Sequence, residues 1–140
     1  MASFLTPLLR EPAVARRLVN VRTGQVVAHA LLTAFDSASR RKGLLGRDSL
    51  PEGTAMLIAP SNAVHTFFMR FPIDVAFVAR DGRVIKVRAA VPPWRMTASL
   101  RGFTVIEFAA GTLARSNTIA GDSLICEPAD TVDRPLPASR

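Results

Sequence analysis

The residues best equipped for chemistry lie between His65 and Asp74, joined later in the chain by Trp94, Arg95 and Glu107. His65 stands among aromatics, where an imidazole can act as general base, ligand contact or metal ligand. The plain alternative is a hydrogen-bonded core histidine. On a strand from Val64 to Arg70, His65, Phe67 and Met69 share one face and Thr66, Phe68 and Arg70 the other. Asp74 follows Phe71-Pro72-Ile73, where Pro72 fixes the backbone. It either pairs with Arg70 or His65, or bonds local backbone amides at the start of a strand. Glu107 alternates with Phe103 and Val105, which points it inward. A buried carboxylate needs a partner, and Arg40, Arg47, Arg70 or Arg95 can supply one, so a structural ion pair is the favoured expectation. Trp94-Arg95, after two prolines, sets an aromatic face beside a fork donor, suited to a planar or anionic ligand or to a simple apolar cap. Cys126, in Leu124-Ile125-Cys126, reads as a buried, inert thiol.

Several chemistries are excluded. A single cysteine rules out an internal disulfide and any multi-cysteine zinc site. Two histidines cannot make a three-histidine metal centre. A mixed site of His65, Asp74 and Glu107 stays open, but no spacing asks for it, and neither metal nor cofactor is expected. There is no Gly-x-Ser-x-Gly elbow, no P-loop and no Gly-x-Gly-x-x-Gly. The net charge is +7, and 16 of the 18 basic residues are arginine. They spread along the chain except for a cluster at Arg40, Arg41, Lys42 and Arg47. Without a recognisable nucleic-acid module, charge supports non-specific attraction only. No run of ~18 apolar residues is present, so no transmembrane segment is expected. The apolar piece in Met1 to Arg10 falls short of the ~7–15 residues of a signal-peptide core, which points to a cytoplasmic chain.

The elements that must position these groups follow from pattern and turn chemistry. With 140 residues, 49% of them hydrophobic, the chain fits one domain with a real core. Leu18 to Arg22 and Gln25 to Thr33 read as strands joined at Thr23-Gly24, the second with Val26, Ala28, Ala30 and Leu32 on one face. Asp36 caps a helix running to about Leu45, with Gly46 as its stop. Thr54 to Ala59, Val64 to Arg70 and Asp74 to Arg80 follow as strands. Asp81-Gly82 turns the last into a hairpin with Arg83 to Val91. Phe103 to Phe108 and Ser123 to Glu127 complete the set, with a helical turn near Thr112 to Ser116. The predicted class is mainly β, a β-rich α+β fold. It is a barrel-like or sandwich arrangement of about eight short, mostly antiparallel strands with one or two short helices. Residues 1–17 read as an N-terminal extension, 18–127 as the domain and 128–140 as a disordered tail.

Taken in order, these segments resemble the bacterial and archaeal family called domain of unknown function 192. Arg40-x-x-Gly43-Leu44-Leu45-Gly46-Arg47 resembles its first block, and His65 to Phe77 its central signature. Asp81-Gly82-Arg83-Val84, Pro93-Trp94-Arg95, Val105-Ile106-Glu107 with Ala110-Gly111, and Gly121-Asp122 continue it, over roughly Leu18 to Cys126. The resemblance implies a mostly β fold with one or two short helices and gives Arg40, Gly43, Arg47, Gly82, Gly111 and Asp122 structural roles. It implies no activity, the family having none established. The chain departs from relatives that carry an export segment, and in having Ala79 where many have an acidic residue.

Three functions compete. The first is a binding module in which His65, Arg70, Asp74, Trp94, Arg95 and Glu107 surround a small polar or anionic molecule. The second is a structural or interaction domain. The third is a hydrolase using His65 with Asp74 or Glu107 as acid and base, which requires those groups to meet in one cavity.

Overall fold

Runs rich in Val, Ile, Leu and Phe, cut by Gly, Pro and Asp-Gly turns, build ten strands and three short helices over residues 3–129, the part described in the computed structural model. The chain order is α1 (Thr6–Arg10), β1 (Arg16–Asn20), β2 (Val26–Ala28), β3 (Ala30–Ala34), α2 (Ser37–Lys42), β4 (Thr54–Ile58) and β5 (Ala63–His65). Then come β6 (Ile73–Val78), β7 (Val84–Val91), β8 (Met96–Ala98), β9 (Thr104–Ala109), α3 (Thr112–Arg115) and β10 (Leu124–Pro128).

A five-stranded sheet, β3-β4-β9-β6-β7, forms the middle of the molecule. Only its β3–β4 pair is parallel. One face packs on a three-stranded sheet, β10-β1-β2, through Leu18, Val27, Leu124 and Cys126 against Leu57, Ile106 and Phe108. The other face carries Met56, Ile58, Phe77 and Val105, covered by Leu44, Leu50 and Met69 from the loops. Strands β4, β6 and β9 are therefore buried on both faces, which is why they read as continuous apolar runs rather than alternating ones. The arrangement is a layered sandwich, not a closed barrel.

The residues read as an N-terminal extension contribute Phe4 and Leu5 to the core and Arg16 and Arg17 to β1. Of the tail, Pro128 ends β10 and Ala129 N–H donates to Ala15 C=O at 2.9 Å. Residues 130–140 lie outside the described part.

Three expected elements are corrected. Gln25 to Thr33 is not one strand. At His29 the chain leaves the three-stranded sheet for the central one, and the N–H groups of His29 and Ala30 both donate to Gly53 C=O. The four residues expected on one face are divided accordingly. The helix capped by Asp36 is real, with Ser39 N–H donating to its carboxylate at 2.8 Å, but it stops at Gly43 (φ 45°) instead of Gly46. Turning there sends Leu44 into the core. Val64 to Arg70 is a strand only as far as His65, and Phe68 already has a φ of 66°. The alternation inferred for Phe67 to Arg70 therefore does not hold. Short β5 pairs instead with β8 in a separate two-stranded ribbon. Among the described residues no helix is long and apolar enough to cross a membrane.

Candidate functional site

Glu107 sits in β9, flanked in register by Met56 of β4 and Val75 of β6. Alternation gives it the same face as Val105, the face that α2 and the ribbon cover. Its side chain is only 2% exposed, and Oε2 has no hydrogen-bond partner. The expected ion pair with Arg40, Arg47, Arg70 or Arg95 is absent among the described residues. Burial, with no cation close enough to offset it, pushes the carboxyl up from 4.5 to about 7.

The carboxyl does have a neighbouring space. A cavity of about 560 Å³ opens beside it, walled by Arg40, Arg41 and Lys42 of α2, by apolar Ile58, Val64 and Met69, and by His65 of β5. The volume lies in the range of small-molecule sites. The cations come from the last turn of α2. Arg40 is partly committed, donating to Phe35 C=O at 2.9 Å, and Arg41 Nε donates to Ser37 C=O at 3.3 Å. Lys42 is exposed. The site thus sets a buried proton-exchanging group at the wall of a cavity whose rim is positive. A ligand that reaches Glu107 meets a donor or an acceptor according to pH.

The other sequence candidates divide. His65 lines this cavity but is exposed, so it is not a core histidine, and its ring stacks on Phe67 at 5.0 Å between centroids. Arg70 is outside the cavity wall, exposed and paired with Asp48. Trp94 and Arg95 are also exposed and outside the wall, and Arg95 Nη1 donates to Trp94 C=O at 3.3 Å.

Asp74 is fully buried and accepts from Ala90 N–H at 2.8 Å, Gly111 N–H at 3.1 Å and Leu113 N–H at 2.9 Å. Asp74 thus bonds backbone amides and pairs with neither Arg70 nor His65, but the amides are 16, 37 and 39 residues away on other elements, not the local ones expected. Asp74 lies opposite Phe108 while Glu107 lies opposite Val75, so the two carboxyls project from opposite faces of the sheet. His65, Asp74 and Glu107 therefore share neither one acid–base site nor one metal site.

The residues given structural roles also divide: Asp122, Gly82 and Gly111 shape the frame, whereas Arg40, Gly43 and Arg47 lie elsewhere. Asp122 is buried and holds Asn20 Nδ2 at 2.9 Å, Ile119 N–H at 2.9 Å and Arg22 Nε at 2.6 Å, a set of donors that keeps it well below the usual carboxylate range. Gly82 has a φ of 93°, and a Cβ there would lie 2.3 Å from Leu124 O. Gly111 precedes α3 with a φ of 94°. Arg47 is exposed. Arg40 and Gly43 belong to the cavity wall. Cys126 is buried in β10, which pushes its thiol up to about 12, as expected of an inert core cysteine.

Sequence reading placed Arg41 and Lys42 in a basic cluster but did not bring them to Glu107, and it missed Ile58, Val64 and Met69. The parallel β3–β4 pairing puts the intervening α2 over the sheet face that carries Glu107, and no short-range pattern encodes that crossover.

Comparison with known proteins gives a family and a fold. The family model of domain of unknown function 192, described as uncharacterized ACR, matches residues 18–126. No curated protein matches the chain. A protein of unknown function from Novosphingobium aromaticivorans DSM 12444 is similar in structure, with a TM-score of 0.68 and 24% identity over 79% of this chain and 82% of that one. A protein from Sinorhizobium meliloti 1021, described as a candidate transcription regulator, has a TM-score of 0.70 and 24% identity over 81% of this chain and 92% of that one. Identity at that level carries the fold alone.

Proposed function

Since the chain belongs to the domain of unknown function 192 family, which is uncharacterised, we propose a function from its site: a binding module for a small anionic molecule that also offers a polar hydrogen to Glu107. The observation that carries this reading is a buried carboxyl without a partner at the wall of an open, cation-rimmed cavity. An unpaired buried polar group costs stability, and a ligand that satisfies it recovers that cost on binding. The anionic part of the ligand would face Arg41 and Lys42 at the end of α2. Its hydroxyl or amino hydrogen would face Glu107, and its carbon frame Ile58, Val64 and Met69.

The test is calorimetric titration with small hydroxy acids, amino acids and inorganic phosphate. At least one class binds saturably. Replacing Glu107 by Leu weakens that binding about tenfold or more, the worth of a hydrogen bond to a charged group. Replacing Arg41 and Lys42 by Ala lowers the salt dependence of the remaining binding, Arg40 alone being left of the three cations. Failure of every class to bind, with no shift of the amide resonances of residues 40–45 and 105–109, overturns the reading.

A further inference from the structure

Of the exposed large apolar side chains among the described residues, Leu9, Val14, Val21, Ile119 and Ile125 lie elsewhere on the surface, and the other four lie on or beside the β5–β8 ribbon. Among the described residues, the three most exposed large apolar side chains are Leu100 at 92%, Phe68 at 73% and Met96 at 68%. All three belong to the β5–β8 ribbon or its loops, as does Trp94. In β8, Met96 stands opposite the exposed His65, so the ribbon turns this face outward, while Thr97 and Val64 on the other face point toward the body.

The display is tied by hydrogen bonds and a ring contact. Phe68 and Trp94 adopt φ values of 66° and 67°, which bulky side chains avoid. Buried Thr66 ties their two loops together. Its backbone N–H donates to Arg95 C=O at 2.8 Å and its C=O accepts from Trp94 N–H at 3.0 Å. Its hydroxyl donates to Pro92 C=O at 2.6 Å and accepts from Arg95 N–H at 2.9 Å. The two rings meet at 4.7 Å between centroids. Backbone strain of this kind clusters at functional sites, and exposed apolar rings mark interaction surfaces.

Charge indicates the occupant. The ribbon, its loops and the adjoining β7 carry Lys86, Arg88, Arg95 and Arg101, and the acidic side chains that come near are Asp48, paired with Arg70, and Asp81, which lines one cavity with Arg83 and Arg101. Arg95 and Arg101 are exposed and adjoin Trp94 and Leu100. Interfacial aromatics, protruding aliphatic side chains and flanking arginines together match a negatively charged lipid surface. Single-stranded nucleic acid would also accept the cations, but it binds by stacking on aromatic faces, and Met96 and Leu100 offer none.

We propose that this tip, led by Phe68, Trp94 and Met96, with Leu100 at the other end of the ribbon, seats the protein on the surface of an anionic lipid bilayer. The site is separate from the Glu107 cavity apart from His65 at their border.

Trp94 is the only tryptophan of the chain, so its emission reports this tip alone. The full chain is titrated with phosphatidylcholine vesicles with and without about one-third phosphatidylglycerol. The expected result is a blue shift and quenching by bromine-labelled acyl chains with the anionic vesicles only, reversed by salt. A Phe68→Ser/Met96→Ser variant, with unchanged circular dichroism, partitions about tenfold less, because two inserted apolar groups are lost. An Arg95→Gln/Arg101→Gln variant retains the fold and loses preference for anionic lipid. No emission change with either vesicle overturns the proposal. So does a change produced by a single-stranded oligonucleotide but not by vesicles, or by self-association without lipid.

Discussion

The Glu107 carboxyl, raised by burial from 4.5 to about 7, binds more protons in the folded chain than in the unfolded chain across that interval. Stability attributable to this group is therefore fully present below about pH 4.5 and is lost as pH rises through about 7. The displacement corresponds to about 3 kcal/mol. Urea unfolding between pH 5 and 9 should show the wild-type chain weakening toward alkaline pH. The Glu107→Gln variant, which cannot ionise, should stay level and overtake it by about 2–3 kcal/mol at pH 9. Equal pH slopes for the two chains would mean that Glu107 finds compensation in solution. A ligand that donates to the ionised carboxyl should restore the wild-type chain at pH 9 and not the variant. At this scale the sequence was only partly legible. Alternation with Val105 gave the inward direction of Glu107, whereas Phe103 precedes β9 and packs on the cluster at the other face of the sheet. The missing partner was not readable, because whether an arginine reaches a buried carboxyl depends on how α2 lands on the sheet. The core alternative for His65 fails for a related reason: residues beyond it leave the strand at Thr66, so its aromatic neighbours form a surface loop instead of a core face.

Asp74 acts between elements. One carboxylate joins the start of β6 to the irregular end of β7 at Ala90, whose φ is 49°, and to the first turn of α3. Three backbone donors that belong to no regular ladder are satisfied by a single side chain. Replacing Asp74 by Ala leaves those donors buried and unpaired, and chemical denaturation should show a loss on the order of 4 kcal/mol. The amides of Ala90, Gly111 and Leu113 should lose hydrogen-exchange protection before the rest of β6. A loss below about 1 kcal/mol would show that water enters and replaces the carboxylate. Strands and turns with strong local signals were legible at this scale. Asp81-Gly82 gave the β6–β7 hairpin, and Asp36 gave the start of α2. Elements set by distant contacts were not. The break at His29 depends on Gly53, and the end of β5 depends on Arg95, each far away in sequence.

Two apolar clusters, one on each side of the central sheet, divide the work of the whole molecule. The side facing the three-stranded sheet includes Asp74, Cys126 and the N-terminal Phe4 and Leu5. The side facing α2 and the ribbon is covered by loops, and there the cavity and the exposed tip occur. A sheet held firmly from one side can leave the other free for an incompletely filled site. The mainly β sandwich was legible from strand spacing and turn signals, whereas this asymmetry was not, because it arises from which loops cross which face. The same asymmetry makes a prediction about the N-terminal segment. Phe4 is 8% exposed, its N–H donates to Arg80 C=O at 2.8 Å, and its Cβ fills the space beside Gly82. It therefore closes the hairpin end of the structural side, although the family match begins at residue 18. Replacing Phe4 by Ala should cost about 3 kcal/mol, the penalty of removing a buried phenyl ring. Affinity at the Glu107 cavity, on the opposite face, should change less than twofold while the fold is kept, since sites without shared partners act additively. Measuring denaturation and ligand titration on the same variant separates the two. A comparable loss of affinity in folded protein would show instead that the two faces of the sheet are coupled through β6 and β9.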